Sequence, residues 1–118
     1  MTGLAVSTIK DWHAHVYFNA NSRDAALALR QRIEAGFEMT MGRFHERPVG
    51  PHPVWSYQVA FRNEVFADLV SWLTLNRGDL TVLVHPNTGQ DLEDHRDRAI
   101  WLGHSTDLNL AMLTRVAA

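Results

Sequence analysis

A short segment near the start of the chain, residues 11–18 (DWHAHVYF), constrains the fold more than any other stretch. It is rich in aromatic and β-branched residues, which predicts a β-strand with side chains alternating between two faces. One face is apolar and suits a core, whereas the other carries His13, His15 and Tyr17. Imidazoles two residues apart on a strand lie roughly 6–7 Å apart, which is close enough to share a metal or a substrate. The segment therefore predicts a sheet with one buried apolar face and one face bearing histidines.

The remaining sequence supplies two helices and three further strands. Ser22 and Asn63 are predicted to cap the helices, and Pro86 is predicted to end the last of the strands. The helices are expected over residues 23–35 and 63–76, and the strands over residues 37–45, 54–61 and 80–85. This β-α-β-β-α-β order predicts an α+β, ferredoxin-like fold, in which both helices cover one face of an antiparallel sheet.

The other face of such a sheet needs a cover, which a partner subunit, the C-terminal tail or a ligand can provide. Because few elements are available for this purpose, we expect a homodimer of the dimeric α+β-barrel type. Residues 1–10 are predicted to form a loose lead, and residues 1–118 a single domain.

The amino-acid composition argues against several classes of function. A net charge of -2 argues against binding to a nucleic-acid backbone, so the expected partners are small molecules or another protein chain. The chain has no cysteine, which excludes disulfides and thiolate chemistry and fits a cytoplasmic protein. No apolar run predicts a signal peptide or a membrane helix. Seven histidines in 118 residues are the unusual feature, and they suggest a metal site.

Three of these histidines are predicted to converge on the open face of the sheet. His15 lies on the first strand, His85 lies on the fourth, and His52 follows a proline-rich loop that holds it in a fixed place. Neutral imidazoles are good ligands for iron, zinc or copper, so the three predict a metal or catalytic site. The alternative is that they are ordinary polar residues at strand ends. Tryptophans are more often core residues than parts of a site, and we expect this of Trp12, Trp55, Trp72 and Trp101.

Other polar residues allow two interpretations each. His13 begins a strand and could simply be solvated. Arg43 and His45 could bind an anionic group of a substrate or lie at a solvated strand end. Asp94 could orient His95 as an acid or base near neutral pH, but neighbouring residues on a helix do not face each other, so both could equally be surface charges.

Five short motifs lie along the chain, at residues 15–18 (HVYF), 50–53 (GPHP), 85–89 (HPNTG), 94–95 (DH) and 99–103 (AIWLG). Their order and spacing resemble those of the DOPA 4,5-dioxygenase family, the fungal type with small bacterial homologues. The resemblance extends from about residue 11 to residue 112. It implies a ferredoxin-like fold that dimerises, and extradiol cleavage of a catechol such as DOPA by O₂ and non-haem Fe(II).

With this resemblance, the candidate residues receive roles as a hypothesis. The metal is expected to be Fe(II), although a purified sample could hold another divalent ion such as zinc. His95 is expected to be the catalytic acid and base, with Tyr17 or His13 hydrogen bonding around the site. The ligands are then His15, His52 and His85, and the candidates for binding a substrate carboxylate are Arg43 and His45.

Two other classes of function remain open. A cofactor-free small monooxygenase on the same scaffold would use the histidines as bases and need no metal. A non-catalytic protein would bind a small ligand or a metal without turnover. Metal content separates the dioxygenase from the first class, and oxygen consumption with a catechol separates it from the second.

Overall fold

One antiparallel sheet and two long helices on one of its faces make up the fold in the computed structural model, which describes residues 3–113. The predicted ferredoxin-like fold is confirmed. A short 3₁₀ turn (Val6–Thr8) precedes the first strand. The elements then follow as β1 (Asp11–Phe18), α1 (Arg23–Gly36), β2 (Thr40–Met41), β3 (Trp55–Phe61), α2 (Asn63–Asn76), β4 (Thr81–Asn87), α3 (Asp91–Arg96) and β5 (Ile100–Leu102).

The strand order across the sheet is β2-β3-β1-β4-β5. The first four strands thus have the order expected of a ferredoxin-like sheet, and β5 adds one more strand beside β4. Strand β1 lies in the middle and pairs with β3 on one side and β4 on the other. This central position brings the two histidines of β1 next to His85 of β4.

The core lies between the sheet and the two long helices. Alternate residues of β1, β3 and β4 point toward the helices, as the two-residue period predicts. The buried Tyr57 also donates a hydrogen bond from its hydroxyl to the Ala26 carbonyl of α1, at 2.8 Å. The buried core residues are Ala14, Val16, Phe18, Ala26, Leu29, Ile33, Tyr57, Val59, Phe61, Leu69, Leu73, Leu80, Val82 and Val84.

The second strand is much shorter than the predicted residues 37–45. Gly42 still donates a backbone hydrogen bond to Gln58 of β3, but the next paired residue is His45, opposite Ser56. Gly42 and His45 are three positions apart, whereas their partners Gln58 and Ser56 are two positions apart. The extra residue forms a β-bulge that interrupts the hydrogen bonding between the strands. A side chain at Gly42 would approach Gln58 to 3.2 Å, so this close backbone contact favours glycine.

Two further boundary predictions were wrong. Pro86 does not end β4 but lies inside it, opposite Trp12. Strand β5 pairs with β4 only as far as Val84, so the missing N–H of the proline costs no hydrogen bond on that side. Ser22 is the N-cap residue of α1, as predicted, but its side chain makes no capping hydrogen bond and accepts instead from the Asn19 backbone N–H. The N-cap of α2 is Arg62 and not Asn63, whose side chain binds Trp12.

The face of the sheet opposite the helices is covered by the chain itself. The proline-rich loop folds over it and places His52 beside Tyr17. The segment after β5 then packs on this loop, with the Asn109 N–H donating to the Pro51 carbonyl at 2.9 Å. The sequence of residues 108–113 is compatible with a strand or a helix, and residues 111–113 are helical in the structure. Within residues 3–113 no helix is long and apolar enough to cross a membrane.

Candidate active site

A cluster of five histidines occupies the face of the sheet away from the helices. Strand alternation places His13 and His15 there from β1, and His85 joins them from β4, directly opposite His13. His85 is fully buried and His15 is 5% exposed. The Nε2 atoms of His15 and His85 lie 3.0 Å apart, so the predicted convergence of these two residues is observed.

Backbone contacts determine which nitrogen of His85 faces the cluster as an acceptor. Its Nδ1 lies 2.9 Å from the Pro86 carbonyl oxygen, which can only accept a hydrogen bond. Nδ1 therefore carries the hydrogen, and Nε2 presents a lone pair toward His15. Two imidazole nitrogens that bind one metal ion at about 2.1 Å each lie about 3 Å apart, so the observed spacing suits a shared ion.

His13 completes a group of three residues that could hold a metal ion. One ring nitrogen from each of His13, His15 and His85 lies within 4.8 Å of the other two. Burial lowers the pKa of His85 to about 3 and the pKa of His15 well below its usual value, and it also lowers the pKa of His13. All three rings are therefore neutral near pH 7, which is the form that binds a metal.

The predicted third ligand, His52, also lies at this cluster but has a second partner. Its ring centroid is 4.1 Å from that of His15, and its Nδ1 lies 2.6 Å from the Tyr17 hydroxyl. Burial lowers the pKa of His52 to about 4 and raises the pKa of Tyr17, so the imidazole is neutral and the phenol keeps its proton. The role of His52 as a ligand and that of Tyr17 beside the site stay predictions.

His95 extends the cluster from α3. Its ring centroid lies 3.9 Å from that of His85 and 6.5 Å from those of His15 and His52. Its Nδ1 lies 2.7 Å from the Asp91 carbonyl oxygen and so donates to it, which leaves Nε2 free to accept or deliver a proton.

Asp94 does not orient His95, so the interpretation of these two residues as a carboxylate–imidazole pair was wrong. The Asp94 carboxylate is fully buried and turns toward the start of the 88–98 segment. It accepts hydrogen bonds from the backbone N–H and hydroxyl of Thr88, at 2.8 and 2.9 Å, and from Arg98 at 2.9 Å. The carboxylate thus links both ends of the segment that carries His95 and holds α3 against the end of β4.

The two predicted carboxylate-binding residues differ in position. His45 is half-buried and pairs with Ser56, which is itself opposite Tyr17, so it faces the same side of the sheet as the cluster. Arg43 is exposed on the irregular segment after β2. Their function in binding a substrate stays a prediction.

The sequence interpretation missed the wall of the site that lies beyond His95. Trp101, expected in the core, instead pairs with Leu83 on the histidine face, and its ring lies 6.0 Å from that of Tyr17. The alternation of β5 could have indicated this, because Trp101 must face opposite to its two neighbours. A cavity of about 400 Å³ opens here, lined by His95, Arg96, Trp101, Ser105, Thr106, Asp107, Leu108 and Leu110.

Comparison with known proteins identifies the family of this chain. The family model described as the Dopa 4,5-dioxygenase family matches residues 12–112, which include β1 except its first residue, the proline-rich loop, β4, α3 and β5. The chain belongs to the Dopa 4,5-dioxygenase family. All five histidines of the cluster lie inside the matched region.

Individual members of the Dopa 4,5-dioxygenase family resemble the chain over most of its length. It is 44% identical to a DOPA 4,5-dioxygenase of Amanita muscaria, over 91% of this chain and 51% of the fungal one. It is 42% identical to an uncharacterized 21.2 kDa protein of Botryotinia fuckeliana, over 86% of this chain and 62% of that protein. The chain thus spans about half the length of the first of these relatives and about three fifths of the second.

A solved structure shares the fold almost completely. It is the crystal structure of a Nostoc punctiforme protein provisionally named a dioxygenase, with 44% sequence identity and a TM-score of 0.95. The match covers 97% of this chain and 99% of that one. The two chains therefore share one fold over nearly their whole aligned lengths.

Proposed function

We propose that this protein is an extradiol ring-cleaving dioxygenase that acts on a catechol such as DOPA, with O₂ and a non-haem Fe(II) ion. The observation that carries the proposal is the buried His15–His85 contact, in which two neutral imidazole nitrogens lie 3.0 Å apart with His13 within reach of both. Because the chain belongs to the Dopa 4,5-dioxygenase family, we infer that this cluster binds a metal used for ring cleavage. The Amanita muscaria relative is named a DOPA 4,5-dioxygenase.

The proposed ligands are His15 and His85, with His13 or His52 as the third. The geometry supports His13, because its ring nitrogen belongs to the group within 4.8 Å. His52 keeps its place as the alternative, because its ring packs on that of His15. Ferrous iron, when bound, supplies redox chemistry toward O₂ and Lewis acidity toward the two catechol oxygens. Zinc is the divalent ion we would expect to replace it in a purified sample.

Side chains of this protein are proposed to transfer the protons of the reaction. In extradiol cleavage the carbon–carbon bond beside the diol breaks, and both oxygen atoms of O₂ enter the ring-opened semialdehyde acid. We assign to His95 Nε2 the removal of a catechol proton and its later return, because His95 Nδ1 is already occupied by the Asp91 carbonyl. Tyr17 and His52 form a hydrogen-bonded pair that supports the other side of the cluster.

The test begins with anaerobic loading of the protein with Fe(II), followed by DOPA and O₂. Formation of the yellow ring-cleavage product is expected for the wild type. His15→Ala and His85→Ala should lose both bound metal and product, whereas His104→Ala, an exposed histidine after β5, should keep both. Retention of iron and activity in His15→Ala would refute the assignment.

A second pair of variants distinguishes the third ligand. His13→Ala is expected to lower the metal content measured by elemental analysis, whereas His52→Ala should retain metal and slow turnover. The reverse result would restore His52 as the ligand. A wild type that binds no metal and cleaves none of several catechols would instead favour a cofactor-free monooxygenase or a binding protein.

The assembly and the location of the enzyme belong to the same proposal. The chain covers the histidine face of its own sheet, so the expectation of a homodimer rests on the resemblance to the family, and light scattering would check it. We also expect a cytoplasmic protein. The absence of cysteine is compatible with a reducing compartment.

A further inference from the structure

The cavity beyond His95 carries two charges of opposite sign. It lies between α3 and β5 on one side and residues 105–110 on the other, and it has a volume of about 400 Å³. Its lining residues include Trp101, the basic Arg96 and the acidic Asp107. Cavities of about 300–1,000 Å³ with a few placed polar groups are typical small-molecule sites.

Arg96 forms an exposed ion pair with Asp97 that uses only one side of its guanidinium. Arg96 donates from Nε and Nη2 to the two carboxylate oxygens of Asp97, at 2.8 and 2.9 Å. Within residues 3–113, Nη1 and the second hydrogen of Nη2 have no acceptor. These two N–H groups form the second fork of the guanidinium, which can bind a ligand carboxylate.

Asp107 provides the opposite charge without a competing partner. No basic side chain within residues 3–113 forms an ion pair with it, although the same cavity holds Arg96. The hydroxyls of Ser105 and Thr106 lie on the same stretch of chain. A carboxylate in this position suits a ligand ammonium group.

We propose that Arg96 and Asp107 determine substrate selectivity, by binding the carboxylate and the ammonium group of a catechol that carries an α-amino acid side chain. The ring would lie between Trp101 and the histidine cluster, since His95 belongs to both the cavity and the cluster. This inference rests on the proposed function. It assigns the carboxylate to Arg96 instead of Arg43 and His45.

The experiment measures anaerobic binding to the metal-loaded protein by calorimetry, so that it does not depend on turnover. Four catechols separate the charges: DOPA has both groups, 3,4-dihydroxyphenylpropionate only the carboxylate, dopamine only the ammonium, and 4-methylcatechol neither. Arg96→Gln should weaken the two carboxylate ligands by roughly tenfold or more. Binding of dopamine and 4-methylcatechol should stay within about twofold.

Asp107→Asn should produce the complementary pattern, with weaker binding of DOPA and dopamine alone. Arg62→Gln, which changes an exposed arginine on another part of the surface, is the matched control and should leave all four ligands unchanged. Equal losses for all four ligands in Arg96→Gln would overturn the proposal. A carboxylate-selective loss in Arg43→Gln and none in Arg96→Gln would also overturn it.

Binding and cleavage measurements on the wild type distinguish a failure of this inference from a failure of the proposed function. If it binds 4-methylcatechol as tightly as DOPA, the selectivity inference fails while the dioxygenase assignment stands. If it neither binds nor cleaves any of the four catechols, the proposed function fails, and the inference fails with it.

Discussion

The buried carboxylate of Asp94 offers a sharp test of how the fold holds its active-site segment. Asp94 has no exposed surface and accepts hydrogen bonds from Thr88 and Arg98. In Asp94→Asn, one oxygen becomes an NH₂ group that cannot accept a hydrogen bond, so either the Thr88 N–H or Arg98 loses its acceptor, and Arg98 also loses its counter-ion. The variant therefore leaves a partly buried donor unsatisfied and a cation unpaired.

The expected loss of unfolding free energy depends on how exposed Asp94 and Arg98 are. Removing one member of a buried ion pair costs about 3–5 kcal/mol, and an unsatisfied buried donor alone costs about 1–3 kcal/mol. The Arg98 side chain is 29% exposed and can recover part of its hydration, so we expect the lower end. A free-energy loss of about 2–3 kcal/mol should lower the melting temperature by about 10 °C in a domain of this size.

The assay is urea and thermal unfolding of the metal-free protein, followed by circular dichroism. Asp97→Asn is the matched control, because Asp97 forms an exposed, solvent-screened ion pair with Arg96 and the variant should unfold much like the wild type. Arg98→Gln combined with Asp94→Asn should cost less than the sum of the single changes. A loss below about 1 kcal/mol in Asp94→Asn, or equal losses at both positions, would refute the reasoning.

Three further predictions concern the core and the histidine cluster. The pKa values of His52 and His85 fall to about 4 and about 3 in the folded protein, so the unfolded chain binds more protons as the pH drops through about 6.5. Chelator-treated protein should therefore lose about 3 kcal/mol of unfolding free energy between pH 7.5 and 5.5, and a flat profile would contradict these neutral imidazoles. Tyr57→Phe removes a buried hydrogen bond to Ala26 and should cost about 1 kcal/mol in urea unfolding, with the fold retained in the circular dichroism spectrum. Zn²⁺ or Fe(II) should raise the melting temperature of the wild type and not that of His15→Ala, and equal shifts in both would place the ion elsewhere.

Much of the fold could be predicted because it depends on local patterns. The two-residue alternation of β1 indicated which side chains face the helices and which face the cluster, and the structure confirms both sets. The order of elements was sufficient for the ferredoxin-like sheet. The second strand was overestimated because a run of suitable residues does not reveal the extra residue between Gly42 and His45 that interrupts pairing.

The sequence by itself determined how many histidines are available, which face of the sheet the strand histidines occupy, and the resemblance to the family. Only the tertiary structure decided which of them meet, because the contact between His15 and His85 depends on strands 70 residues apart becoming neighbours. It also decided that Asp94 binds Thr88 and Arg98 and not His95, and that Trp101 belongs to the histidine face. Residue type and spacing fix the direction of a side chain along its own element. Its partners are fixed by how separate elements pack.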